Sequence, residues 1–204
     1  MHLHGLPLAL VLLLAAPAGA QNLSVEEIGK LIDERVNALN PYQAILNDPD
    51  PERALAGMEI MLQQGDATLR RMALEFGLLS PNPTVRRTAL EGFLASGPAL
   101  SIRFDGTGIE DKGFGTWIPN LWNGTVDSEN IGYWRIQVSG QDEETKCYLD
   151  QNGKCFITVN SDGVFFTPDR MNGRADITPE GTLAGSANLY GITPPVPFSV
   201  QLLD

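Results

Sequence analysis

Histidine is nearly absent from this chain of 204 residues: the two present, His2 and His4, lie at its very start. They precede an apolar run, Leu6–Ala16, that ends in the small-x-small pattern Ala18-Gly19-Ala20. A short apolar run before such a pattern reads as a cleavable secretory signal, because a membrane span needs about 20 apolar residues. No Lys or Arg precedes the run, so a retained anchor is the competing reading. Without residues 1–20 the chain holds no imidazole. Ser-His-Asp and Cys-His catalysis are then excluded, as is any metal site that needs histidine. Chemistry is left to carboxylates, hydroxyls, four lysines and ten arginines.

Positive charge is also scarce. Fourteen Lys and Arg stand against 25 Asp and Glu, a formal net charge of −11. This balance argues against a nucleic-acid partner and against adhesion to anionic lipid, since both need clustered positive charge. Beyond the leader there is no apolar run long enough for an integral membrane span. A phosphate loop is missing too: the glycines of 105–132 carry no Gly-Lys-Ser/Thr and no strand–helix frame.

Cysteine occurs twice, as Cys147 and Cys155 in "TKCYLDQNGKCFITVN". Two thiols without histidine make half a tetrahedral zinc set. Seven intervening residues exclude a Cys-x-x-Cys redox pair, and the acidic spacing is not that of an EF-hand. A disulfide in an oxidising compartment remains, and the expected location is periplasmic or extracellular. Direct pairing of Cys147 with Cys155 centres a hairpin on Gln151, whereas a two-residue Asn152-Gly153 turn pairs Cys147 with Thr158. The expectation is a wider loop, about 149–153, with Gly153 at positive φ.

What is present divides the mature chain at about residue 97. Residues 21–97 read as helices. Ser24 with Glu27 forms a capping box, and Ile28, Leu31, Ile32, Val36 and Leu39 recur at helical spacing until Asn40-Pro41. Asp50-Pro51 opens a second helix, with Leu55, Met58, Met61 and Leu62 as its buried stripe. The chain then repeats itself: "TLRRMALEFGLLS" (68–80) aligns without gaps on "TVRRTALEGFLAS" (84–96), with Asp66 and Asn82 in equivalent cap positions. Such copies stack as antiparallel helices that bury their Ala/Leu faces. Arg70, Arg71, Arg86 and Arg87 are the candidate binding ridge for an acidic partner. The alternative is local pairing with Glu75 and Glu91.

The stretch 48–97, with "DPDPE" and "NPTVRRTALEGFLAS", resembles HEAT-like helical repeats. That resemblance implies a short helical array or bundle serving as a scaffold for a partner, not a reaction.

Residues 98–204 turn glycine-rich and alternate with period two. Short runs at 99–104, 132–140, 145–149, 154–159, 163–166, 173–181, 182–191 and 197–203 predict an antiparallel sandwich or small barrel. Within 132–140, Trp134, Ile136 and Val138 take the inner face. The fold class is therefore α+β, with a leader (1–20), a helical repeat-like domain (21–97) and a β domain (98–204). The gap 105–132 holds Trp117 and Trp122, candidates for a stacking platform for sugar or peptide. Packing across the open end of the sheet is the alternative.

No cofactor is expected. The acidic loops leave a calcium ion possible, because hard cations take oxygen ligands. The expected role is a non-catalytic binding or assembly protein for a protein or envelope glycan. A carboxylate-pair glycan hydrolase and a structural envelope subunit are the competing readings.

Overall fold

A computed structural model describes residues 23–110 and 113–203. The expected leader, 1–20, and both histidines lie outside the described residues. By contacts the chain divides into two units, Met1–Asn40 and Pro41–Asp204. Among the described residues no helix is long and apolar enough to cross a membrane.

Helix α1 spans Val25–Leu46. Its capping box forms as expected: Ser24 N–H donates to Glu27 at 2.8 Å, and Glu27 N–H donates to the Ser24 hydroxyl at 3.2 Å. The helix does not stop at Asn40-Pro41, which corrects the sequence reading. Proline removes one donor, but packing holds Tyr42–Leu46 helical: Leu46 is buried, and Ile45 lies close against Gly57. Tertiary contact overrides the local break.

Helices α2 (Pro51–Gln64), α3 (Ala67–Leu78) and α4 (Pro83–Ala95) begin at Asp50, Asp66 and Asn82, each of which accepts backbone N–H bonds from the first turn. The internal repeat is visible in the packing. Ala73, Leu74 and Leu78 of α3 are buried, and so are their counterparts Ala89, Leu90 and Leu94 of α4. The copies swap Phe76-Gly77 for Gly92-Phe93 because each glycine lies at a close crossing. A Cβ on Gly77 would collide with Ala89 and stand 2.6 Å from Met58 Sδ, and one on Gly92 would stand 2.9 Å from Leu62.

Among the described residues ten antiparallel strands follow: β1 (Ala99–Asp105), β2 (Thr125–Val126), β3 (Ile131–Gln137), β4 (Gly140–Gln141), β5 (Tyr148–Leu149), β6 (Cys155–Asn160), β7 (Gly163–Phe166), β8 (Met171–Ile177), β9 (Thr182–Leu189) and β10 (Val196–Gln201). Their order across the sheet is β2-β3-β1-β10-β9-β8-β7-β6-β5-β4. The β3–β4 chain is nearly continuous. It borders β1 with its first half, and its second half borders β5, where Ser139 N–H donates to Leu149 O at 2.8 Å. The two ends of the sheet therefore meet along one stretch of chain, and the sheet curls into a half-barrel.

Alternation fills the inside. Trp134, Ile136 and Val138 are buried, while Tyr133, Arg135 and Gln137 are exposed. Phe104, Phe166 and Phe198 meet in the core, Phe198 at 6.1 Å from Phe104 and 5.1 Å from Phe166. Gly173 makes room beside Phe198, since a Cβ there would stand 3.0 Å from that ring. The same apolar core runs from Met58, Leu78 and Leu94 of the helices into Leu100, Leu183 and Val200 of the sheet. A hydrogen bond joins the layers where the Tyr148 hydroxyl donates to Glu91 O at 3.2 Å.

The gap 105–132 is not all loop. It contains α5 (Phe114–Trp122) and the short β2. Flanking glycines and Pro119 mask this helix in the sequence. Its apolar residues Phe114, Ile118 and Trp122 nevertheless recur every four positions, and Phe114 and Ile118 are buried.

Candidate functional site

The expected disulfide forms, with Cys147 and Cys155 Cα atoms 5.6 Å apart. The register differs from the sequence expectation of direct pairing. Tyr148 faces Ile157 while Leu149 faces Cys155, with an irregularity between Tyr148 and Leu149. A bulge absorbs the mismatch between the bridge and the turn. The connection is as long as the expected 149–153 but lies one position later, at 150–154: Gly153 N–H donates to Asp150 O at 2.9 Å, and Asp150 N–H donates to Lys154 O at 2.8 Å. Gly153 takes φ +73°, as expected. The Asp150 carboxylate accepts from Asn152 N–H at 2.8 Å and Lys154 N–H at 2.9 Å. The strand expected at 145–149 shrinks to two residues because Asp142 organises the chain before it, accepting from Thr145 N–H and hydroxyl, both at 2.7 Å.

This clipped turn forms one wall of a cleft of about 590 Å³. Asp150, Gln151, Asn152 and Lys154 line that side; Trp122 and Asn123 from the end of α5 and Trp134 from β3 line the other, and Thr167 and Asp169 close the rim. The cleft opens where β3 and the β5–β6 hairpin part. The Gln151 side chain reaches across and accepts from Gln137 N–H at 3.4 Å. The volume is within the range of small-ligand sites, and indole, amide, carboxylate and ammonium side chains all contribute to the lining.

The indoles form a packed cluster. Trp122 stacks on Trp134 with centroids 4.4 Å apart and 16° between planes. Trp117 stands edge-on to Trp122 at 4.5 Å and 89°, and its Nε1–H donates to Tyr190 O at 2.9 Å. Both are half-buried. The structure thus brings Trp117 and Trp122 together, but not in one plane, and only Trp122 lines the cleft. Trp134, read from sequence as core, is the second indole of the site. Its inward position in β3 was legible; the parting of the sheet beside it was not.

The four arginines separate into their pairs. Arg70 and Arg71 line a depression with Leu62, Gly92 and Phe93. Arg86 and Arg87 line a different one, facing Asp162, Arg174 and Asp176 from the sheet. The short joint between α3 and α4 reverses the chain, which sends equivalent residues toward opposite ends. Arg86 donates to Ser80 O at 2.6 Å, and Arg87 pairs with Glu91 at 3.8 Å.

The acidic loops serve as turn formers. Asp105 accepts from the Thr107 hydroxyl at 2.7 Å and from its N–H at 3.1 Å, and these bonds hold its carboxyl below the usual range. Asp142 is lowered in the same way by Thr145. Asp127 accepts from Glu129 and Ile131 N–H, both at 2.9 Å. Among the described residues no group of three or more His, Cys, Asp and Glu is arranged to hold a metal ion.

No family model, curated protein or solved structure matches the chain. The site therefore rests on its own geometry.

Proposed function

We propose that this is an exported, non-catalytic binding protein that recognises an envelope glycan in the cleft beside Trp122 and Trp134. One observation carries the reading: the edges of Trp122 and Trp134 and a turn bearing Asp150, Gln151, Asn152 and Lys154 line the same space of about 590 Å³. Sugars offer apolar C–H faces and a rim of hydroxyls, and such a cleft meets both. The helical scaffold α2–α4 shares the sheet's core, so it holds the cleft's framework and presents a second surface for assembly. Export is supported by the leader-like segment and the Cys147–Cys155 bridge.

A carboxylate-pair hydrolase is the second reading, because Asp150 and Asp169 both line the cleft. The Asp150 carboxylate, however, is occupied by the backbone of its own turn. The test is tryptophan fluorescence titration with a panel of neutral oligosaccharides. A binder should give saturable quenching that weakens at least about tenfold in Trp122→Ala, about 1.4 kcal/mol. Trp122→Phe should retain most of it. No quenching by any member of the panel sinks the glycan reading. Release of reducing ends that disappears in Asp169→Asn establishes the hydrolase instead.

A further inference from the structure

The described helical part of the first unit, Val25–Asn40, carries an apolar stripe that faces water. Val25 is 85 % exposed, Ile28 43 %, Leu31 51 %, Ile32 55 % and Val36 52 %. Spacings of three and four place these residues on one face of the helix. A monomer rarely leaves so large an aliphatic surface uncovered. The polar side is acidic: Glu26, Glu27, Asp33 and Glu34 stand against Lys30. Lys30 is already paired with Glu34 at 3.9 Å. Glu27 and Glu34 border the stripe on one side, and Asp33 lies beyond the other.

We infer that this stripe docks an amphipathic helix of a different protein, one with an aliphatic seam rimmed by Lys and Arg. Charge selects this occupant. A second copy would set the acidic rim against itself and bring together two chains of net charge −11. An anionic lipid surface meets the same repulsion. A basic rim instead places ammonium or guanidinium groups beside Glu27, Asp33 and Glu34 while the aliphatic rows interdigitate. Arg35, four residues from both Leu31 and Leu39, puts one positive charge in the row. It favours a partner with one acidic residue at the facing position, which fixes register. Sixteen residues of helix extend about 24 Å, so the contact is small and belongs to the transient class.

The test uses the full chain and two labelled synthetic helical peptides with the same leucine seam, one rimmed with lysine and the other with glutamate. Fluorescence anisotropy should show binding of the lysine-rimmed peptide, weakened by salt, and none of the glutamate-rimmed one. Ile28→Ser/Ile32→Ser/Val36→Ser should weaken binding about 100-fold, since three buried aliphatic contacts are lost. Glu27→Lys/Asp33→Lys/Glu34→Lys leaves the stripe in place and should invert the peptide preference. Binding unaffected by the stripe variant overturns the inference, because net charge alone then explains it. So does a stable dimer of the chain alone in sedimentation, or co-sedimentation with phosphatidylglycerol vesicles, if the stripe variant abolishes it. Those outcomes assign the surface to a second copy or to lipid.

Discussion

The Cys147–Cys155 bridge should stabilise the fold without being needed for the ligand site. The perturbation is Cys147→Ala/Cys155→Ala. The bridge spans a sequence separation of 8. For a ring of that size, lost loop-closure entropy in the unfolded chain corresponds to about 2.5 kcal/mol at 25 °C. Cys147 is 1 % exposed and Cys155 lies at the surface, so only one buried sulfur leaves a void, adding less than about 1 kcal/mol. The expected loss is therefore about 2.5–3.5 kcal/mol. With a urea slope of about 1–3 kcal/mol/M for a domain of ordinary size, the unfolding midpoint should fall by about 1–3 M. The turn keeps its own bonds, from Asp150 O and the Asp150 carboxylate to Gly153, Asn152 and Lys154 N–H. Oligosaccharide affinity should accordingly change less than about threefold, a shift below about 0.7 kcal/mol. Urea titration followed by tryptophan fluorescence gives the first number, and ligand quenching gives the second. An unchanged midpoint would refute the ring-entropy reasoning. A loss above about 5 kcal/mol would show that the meeting of the sheet's ends at Ser139 and Leu149 depends on the bridge.

Two further expectations follow from the core. Burial, reinforced by the charge of Glu91, raises the Tyr148 hydroxyl from 10.0 to about 12. The folded chain keeps its proton where the unfolded chain has lost it, so this contribution is complete below pH 10 and disappears as pH rises toward 12. The unfolding free energy of wild type, from denaturant titration, should drop across that interval by up to about 2 kcal/mol more than that of Tyr148→Phe; parallel curves would refute the assignment. Gly185→Ala should be among the most damaging single changes, because a Cβ there would overlap the Arg174 carbonyl oxygen and stand 2.7 Å from Ala175 Cα. A loss of about 2–4 kcal/mol is expected by calorimetry, whereas Gly115→Ala, with open space around it, should cost under about 1 kcal/mol.

Local signals were readable wherever one residue type has one use. Asp50, Asp66 and Asn82 cap their helices because a short side-chain acceptor before a helix has few better partners than its first N–H groups. The 16-residue repeat showed which faces of α3 and α4 are buried, and alternation placed Trp134 inside β3. Three features escaped because competing signals won locally. Pro41 reads as a stop, α5 is hidden by glycines and Pro119, and the bulge at Tyr148/Leu149 leaves no mark in residue types.

The sequence alone determined the class of this protein: acidic, without imidazole after His4, helical first and β-rich after, with a single pair of cysteines. Composition and periodicity suffice for that, since they depend only on each residue and its near neighbours. The tertiary structure decided the site. Whether Trp122 meets Trp134 and whether Asp150 lines the same cleft depends on the curl of the sheet, which brings β4, the continuation of β3, beside β5 and leaves the cleft where β3 and the β5–β6 hairpin part. Arg70 and Arg71 line one depression and Arg86 and Arg87 another, although the sequence presents them as one ridge. The joint between α3 and α4 turns the second copy around, so equivalent residues of the two copies line different surfaces.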